Sequence, residues 1–308
     1  SYLNAILTGL LTAAGNSRTP FIVNVAGLVF NVVLDPVLIF GIGPFPELGV
    51  SGAAAATVTA QALVSLLFFK AVLREKVLFP HLRLWVLVPV KVWREIVRIG
   101  VPSAVQNLIY AGISMILTRL ITGWGDLAVA AQRVGSQIES VSWMVGDGFS
   151  AAVNAFLGQN YGAKRYDRVR RGYFCAIAMT AAWGLCTTFL LIGMARPLFS
   201  IFLQEEEVMA IGVNYLRIVG LSQMFMMVEQ TSIGAFSGLG RTLYPSIVSV
   251  TFTSARIPVA VLLSSVMGLS GIWWALSISS MVKGCILFVS FVVFLYVFLE
   301  RKKIEKTV

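Results

Sequence analysis

Asn31 and Asp35 are the two residues in this 308-residue sequence whose types and spacing best suit ion chemistry. They stand four apart in an apolar stretch, so a helix carries both on one face. Pro36 follows directly, removes a backbone donor and frees the carbonyl of Val32 beside the carboxylate. A carboxylate, an amide oxygen and a freed carbonyl together suit a hard cation such as sodium, or a proton taken up reversibly. Thr57, early in the next apolar stretch, adds a hydroxyl to the same candidate set. The residues equally fit a kink whose polar groups satisfy one another, and their pattern alone leaves both readings open.

A second group lies further along the chain. Glu229 and Arg256 sit in two different apolar stretches and are expected to form a buried ion pair or to serve a cavity. Gln106, Asn107 and Tyr110 make a polar patch after the Gly100-Val101-Pro102 break. Gln132, Arg133, Gln137 and Glu139 share one long stretch, where Arg133 suits an interface anchor and Glu139, deeper, suits a cavity. Lys283 also lies deep, where a structural partner is the simpler account. Met224, Met226 and Met227, with Phe225, Trp143 and Phe149, fit either the wall of an adaptable cavity or ordinary apolar contacts. Cys175, Cys186 and Cys285 have no ligand spacing and read as packing residues; the lone His81 cannot build a histidine metal site.

The elements that must position these residues are membrane spans. The chain is 57% hydrophobic and 12% charged, whereas a soluble domain carries about 25% charged residues. It reads as an all-α polytopic membrane protein, with a partial span at 1–14 and eight full ones. These are 20–42, 49–73, 96–122, 126–157, 172–195, 208–237, 245–267 and 270–298. The formal charge of +10 does not point to nucleic acid, because 18 of the 24 Lys and Arg residues fall in loops on one side of the alternating spans. By the positive-inside rule that side is cytoplasmic in an inner (plasma) membrane. Residues 75–95 read as a linker, with Trp85 to Val88 beside Arg83, Lys91 and Trp93 as an interfacial segment, and 300–308 as a basic cytoplasmic tail.

The pattern repeats. At an offset of 225, Gly9, Gly15, Pro20, Ile22, Val23 and Val25 meet Gly234, Gly240, Pro245, Ile247, Val248 and Val250, and Asn31 meets Arg256. After a loop six residues shorter, Gly49-Val50-Ser51-Gly52 meets Gly268-Leu269-Ser270-Gly271. So long a period with matching hydropathy points to a duplicated membrane transporter. The second half runs about 150 residues before Pro245 and the first only 20 before Pro20, so about 130 residues are expected upstream. On that count 1–74 is the end of a first lobe and 96–299 a second.

Four motifs carry a family resemblance: Gly15-Asn16-Ser17-Arg18-Thr19-Pro20, Asn31-Val32-Val33-Leu34-Asp35-Pro36, Gly49-Val50-Ser51-Gly52-Ala53-Ala54 and Gly158-Gln159-Asn160-Tyr161-Gly162-Ala163-Lys164. With Gly238-Leu239-Gly240-Arg241-Thr242 in the second repeat, the chain resembles the multidrug and toxic compound extrusion (MATE) family over essentially its whole length. The resemblance implies two six-helix lobes related by a pseudo-two-fold axis, this chain holding the end of helix four through helix twelve. It implies efflux of cationic or amphipathic compounds driven by sodium or proton entry. It also implies a cation site at Asn31 and Asp35, with Thr57 as a third ligand. The acids that some relatives carry in the seventh and tenth helices fall here on Tyr110 and Met226, with Glu229 three residues on.

The reading is therefore a secondary active multidrug antiporter working by alternating access, with Na+ or H+ as the coupling ion and no other cofactor. Coupling is assigned to Asp35, Asn31 and Thr57; cavity and charge-network roles go to Gln106, Tyr110, Glu139, Glu229 and Arg256. Expected partners are small organic cations or drugs and the lipid bilayer, with a monomeric protein and no nucleic acid. A flippase for a lipid-linked saccharide is the alternative; it would call for a more strongly basic central cavity, for which Arg133, Arg256 and Lys283 leave some room. An integral-membrane enzyme would require clustered His, Cys or acidic residues near one face, and none is visible. A non-transporting membrane scaffold is the remaining class.

Overall fold

A computed structural model describes residues 2–74, 89–203 and 205–299. The sequence-based linker segment 75–88, with His81, Arg83 and the Trp85 to Val88 stretch, lies outside these residues, as does the 300–308 tail. The chain divides into two compact units, Ser1–Val88 and Pro89–Val308.

The first unit holds α1 (Tyr2–Ala13), α2 (Arg18–Phe40) and α3 (Gly49–Arg74). α2 runs unbroken through Pro36 and ends at Gly41. Its packing against α3 and α1 centres on Leu11, Val23, Val64 and Phe68. Asn4 of α1 is buried and joins α3 by donating to Gln61 and accepting from Ser65.

The second unit holds α4 (Val90–Thr122), α5 (Asp126–Gly162), α6 (Tyr166–Gly193), α7 (Ala195–Ser200), α8 (Glu206–Gly220), α9 (Gln223–Gly238), α10 (Leu243–Ser254), α11 (Arg256–Met267) and α12 (Leu269–Phe294). α4 takes in residues 90–95, which the sequence assigned to the linker. One core cluster gathers Tyr173, Phe236, Leu287 and Phe291, and a second gathers Phe199, Tyr215, Leu216 and Trp273.

Among the described residues, six helical stretches are long and apolar enough to cross a membrane, and a bent pair makes a seventh. α5 is the eighth predicted span. Its 37 residues cover about 55 Å, more than a bilayer needs, but Gln132, Arg133, Gln137, Glu139 and Asp147 make it the most polar of the set. The protein is a multi-pass, all-helical membrane protein.

Two predicted spans are each two helices. The span expected at 208–237 breaks at Leu221-Ser222, where α8 and α9 meet with a 50° bend. The bend leaves carbonyls that water cannot reach, and neighbouring helices satisfy them. Thr188 of α6 donates to the carbonyl of Gly220 at 2.9 Å, and Ser277 of α12 to that of Ile218 at 2.9 Å. The span expected at 245–267 breaks at Ala255, just before Pro258, which has no N–H for the carbonyl of Ser254. There Ser279 of α12 donates to the carbonyl of Phe252 at 2.9 Å.

The cysteines depart from expectation. Cys175, Cys186 and Cys285 are free and exposed on the surfaces of their helices, so they are not core packing residues.

Candidate functional site

In the first unit, Asn31 and Asp35 are half-buried on the same face of α2. The Asn31 amide donates to Asp35 Oδ1 at 3.3 Å, the one-turn contact that the spacing demands. Thr57 does not join them. It is exposed, and its hydroxyl donates to the carbonyl of Ala53 one turn back on α3 at 3.0 Å, a habitual bond for threonine in a helix.

The second unit builds a far more polar site. Two adjoining cavities of about 340 and 440 Å3 share Tyr110, Trp143, Asp147, Met226, Arg256 and Ser280 in their walls. Gln106 and Glu229 complete the first, Glu139 the second. The five cavity residues named from sequence therefore lie around one connected space. Tyr110 and Trp143 meet there with ring centroids 5.7 Å apart.

Glu139 is held by three neutral donors. Tyr215 reaches Oε2 at 3.0 Å, while Gln223 and Trp143 reach Oε1 at 3.0 and 3.3 Å. The α8–α9 break is what delivers two of these, since Tyr215 precedes the bend and Gln223 follows it. A carboxylate so held is solvated by fixed dipoles rather than by a counter-charge.

The expected Glu229–Arg256 pair does not form. Glu229 pairs instead with Lys283 of α12, Oε1 to Nζ at 2.7 Å, and the two residues are 6% and 5% exposed. α9 packs along α12, and that contact brings the ammonium, rather than the guanidinium, to the carboxylate. Arg256, 7% exposed, donates from Nε to Ser279 at 3.1 Å and from Nη2 to Ser280 at 3.0 Å.

Asp147 is the site residue that the sequence reading missed. Gln230 donates to its Oδ1 at 3.0 Å, and it lines both cavities. Its signal was available: Gln132, Ser136, Glu139, Trp143, Asp147 and Ser150 recur every three or four residues, a polar stripe on one face of α5. Among the described residues, no group of three or more His, Cys, Asp or Glu could hold a metal ion.

Comparisons with known proteins bear on the same elements. A probable multidrug resistance protein NorM of Thermotoga maritima is 31% identical over 87% of this chain and 58% of its own length. A probable multidrug resistance protein YoeA of Bacillus subtilis is 27% identical over 88% of this chain and 60% of its own. The chain thus spans about three-fifths of the length of these curated relatives. Among solved structures, the outward-facing conformation of a multidrug resistance MATE family transporter shares the fold, with a TM-score of 0.87 at 21% identity, covering 97% of this chain and 66% of that one. The MatE family model matches residues 102–262, from α4 through α11, and so takes in most of the cavity wall; the chain belongs to the MatE (MATE) family.

Proposed function

We propose that this chain forms the greater part of a secondary active exporter that moves cationic or amphipathic organic compounds outward in exchange for Na+ or H+. The observation that carries the reading is the connected polar cavity of the second unit, bounded by apolar spans and walled by Tyr110, Trp143, Met226 and Glu139. Such a space gives a bulky solute both apolar contact and fixed polar groups within the membrane. The names of the multidrug resistance relatives point the same way. The flippase alternative gains nothing here, because Arg256 and Lys283 share the cavity walls with Glu139, Asp147 and Glu229.

In this reading the coupling ion is taken at Asp35, with Asn31 as its neighbour, and the protein works as a monomer in the inner membrane with its basic loops inside. The ion and the solute must prefer different conformations, because a ligand that binds both states equally shifts neither. Thr57 joins the ion site only by giving up its bond to Ala53.

Efflux of a cationic dye from cells making the complete gene product, wild type against Asp35→Asn, tests this across sodium concentration and pH. Asp35→Asn is expected to insert normally and to lose roughly tenfold or more of the ion-dependent efflux, as expected for losing a charged interaction worth at least about 1.4 kcal/mol. Unchanged ion dependence would move the coupling site to the acids of the second unit. Absence of any efflux by wild type would sink the export reading itself.

A further inference from the structure

Ser249, Thr253 and Arg256 follow one another at intervals of four and three, so they share one face of α10–α11 across the break. All three line the first cavity. The Ser249 hydroxyl is buried, its residue 3% exposed, and it has no hydrogen-bond partner among the described residues. Arg256 donates to the neutral hydroxyls of Ser279 and Ser280 and also meets the hydroxyl of Tyr110, which leaves part of the roughly five N–H groups of a guanidinium unspent. Lys283 is matched by Glu229, whereas among the described residues no carboxylate pairs with Arg256.

A buried cation that lacks a counter-charge is costly. A guanidinium with spare donors, in a cavity whose wall also carries an unbonded hydroxyl two turns back on the same helical face, suits a carboxylate or phosphate group. Among the described residues no acid of the same cavities reaches ion-pair distance of Arg256, and Glu139 acts on it only through space. Glu229 is neutralised by Lys283, Glu139 is held by Tyr215, Gln223 and Trp143, and Asp147 by Gln230.

We propose that this face of α10–α11 is an anion subsite. It takes a carboxylate or phosphate group of an amphiphilic solute, with Arg256 as the charged anchor and the hydroxyls of Thr253 and Ser249 one and two turns back along the same cavity wall. The negative groups of the cavity come from α5 and α9 and the anion-binding groups from α10–α11, so a solute bearing both charges is oriented by them. The inference rests on the export reading and adds to it the place in the cavity where a negative group of the solute is held.

Rhodamine 110 and its methyl ester, rhodamine 123, differ in a single carboxylate and make a matched probe pair. Their equilibrium binding to the complete purified protein in detergent is read by fluorescence polarisation. Arg256→Gln is expected to weaken rhodamine 110 about tenfold or more, as for a lost charge-assisted bond, and to leave rhodamine 123 within about twofold. Ser249→Ala breaks no bond within the described protein and carries the test should Arg256→Gln fail to fold. It is expected to weaken rhodamine 110 by about two- to fivefold, with the melting temperature unchanged. Displacement of rhodamine 110 by added phosphatidylglycerol from wild type, and less from Ser249→Ala, identifies a lipid phosphate as an occupant; no displacement identifies the solute carboxylate. Equal weakening of both dyes, or of neither, overturns the subsite and leaves the export reading standing. If wild type binds neither dye, the subsite falls, and the efflux of cationic dye decides the export reading separately.

Discussion

At Gly15, and again 225 positions later at Gly240, a helix ends in the same way. Both glycines have positive φ, +90° and +69°. The N–H of Gly15 bonds the carbonyl of Thr12 and that of Asn16 the carbonyl of Leu11; the N–H of Gly240 bonds Ser237 and that of Arg241 bonds Phe236. These are the two bonds of a Schellman cap, made twice at equivalent positions. Further on, Gly52 lies against the backbone of Leu38, and Gly271 against the backbone of Leu263; the leucines are again 225 apart, and the glycines 219 apart because of the shorter loop.

On this shared local plan the two regions hold opposite charges. α2 is continuous and carries Asn31 and Asp35, half-buried, with one bond between them. Its counterpart is broken at Ala255 and carries Arg256 where α2 has Asn31, buried in the cavity wall and tied to α12 through Ser279 and Ser280. The difference teaches that caps and close glycine contacts set how the helices meet, while the polar residues inside them are free to diverge. A carboxylate with one neighbour is suited to exchanging an ion; a guanidinium enclosed by a fixed network is suited to holding its position.

The largest expected effect lies in the enclosed network of the second unit. Lys283→Ala or Glu229→Ala strands a buried charge and should lower stability by about 3–5 kcal/mol, whereas changing both to apolar residues of similar size should recover most of it. Thermal unfolding of the single and double variants in detergent reads this out; a double variant no better than the singles would break the assignment. Next come Gly52→Ala and Gly271→Ala. Each new Cβ meets the backbone of the preceding helix and should cost about 1–3 kcal/mol, with similar values at the two positions. A large disparity would show that the two contacts are alike in geometry but not in strength. The smallest effect is expected at the caps. Gly15→Ala and Gly240→Ala should each cost about 1–2 kcal/mol, because a Cβ is disfavoured at positive φ, and at Gly240 it meets no neighbouring atom. If only one of them registers, the caps are not energetically equivalent.

Much of this was legible in the residues themselves. The spans, the duplication and the one-turn contact of Asn31 with Asp35 depend on hydropathy and helical period, which are local properties of the chain. The glycines at 15 and 240 stood in register before any φ was known, because only such a residue ends a helix cheaply in the left-handed region. Thr57 was placed beside Asp35 by its position early in a helix, but the direction of a hydroxyl is settled by the nearest acceptor, here Ala53.

What the sequence determined by itself is the membrane-spanning helical character, the repeat, and which residues carry charge where charge is costly. The tertiary structure alone decided which charges meet. Two spans break, and their freed carbonyls recruit Thr188, Ser277 and Ser279 from other helices. Glu229 takes Lys283 in place of Arg256, and Glu139 is closed in by Tyr215 and Gln223 from either side of a bend. Pairing across helices depends on their rotation and depth against one another, which arise from packing summed over many residues and leave no mark at a fixed spacing in the chain.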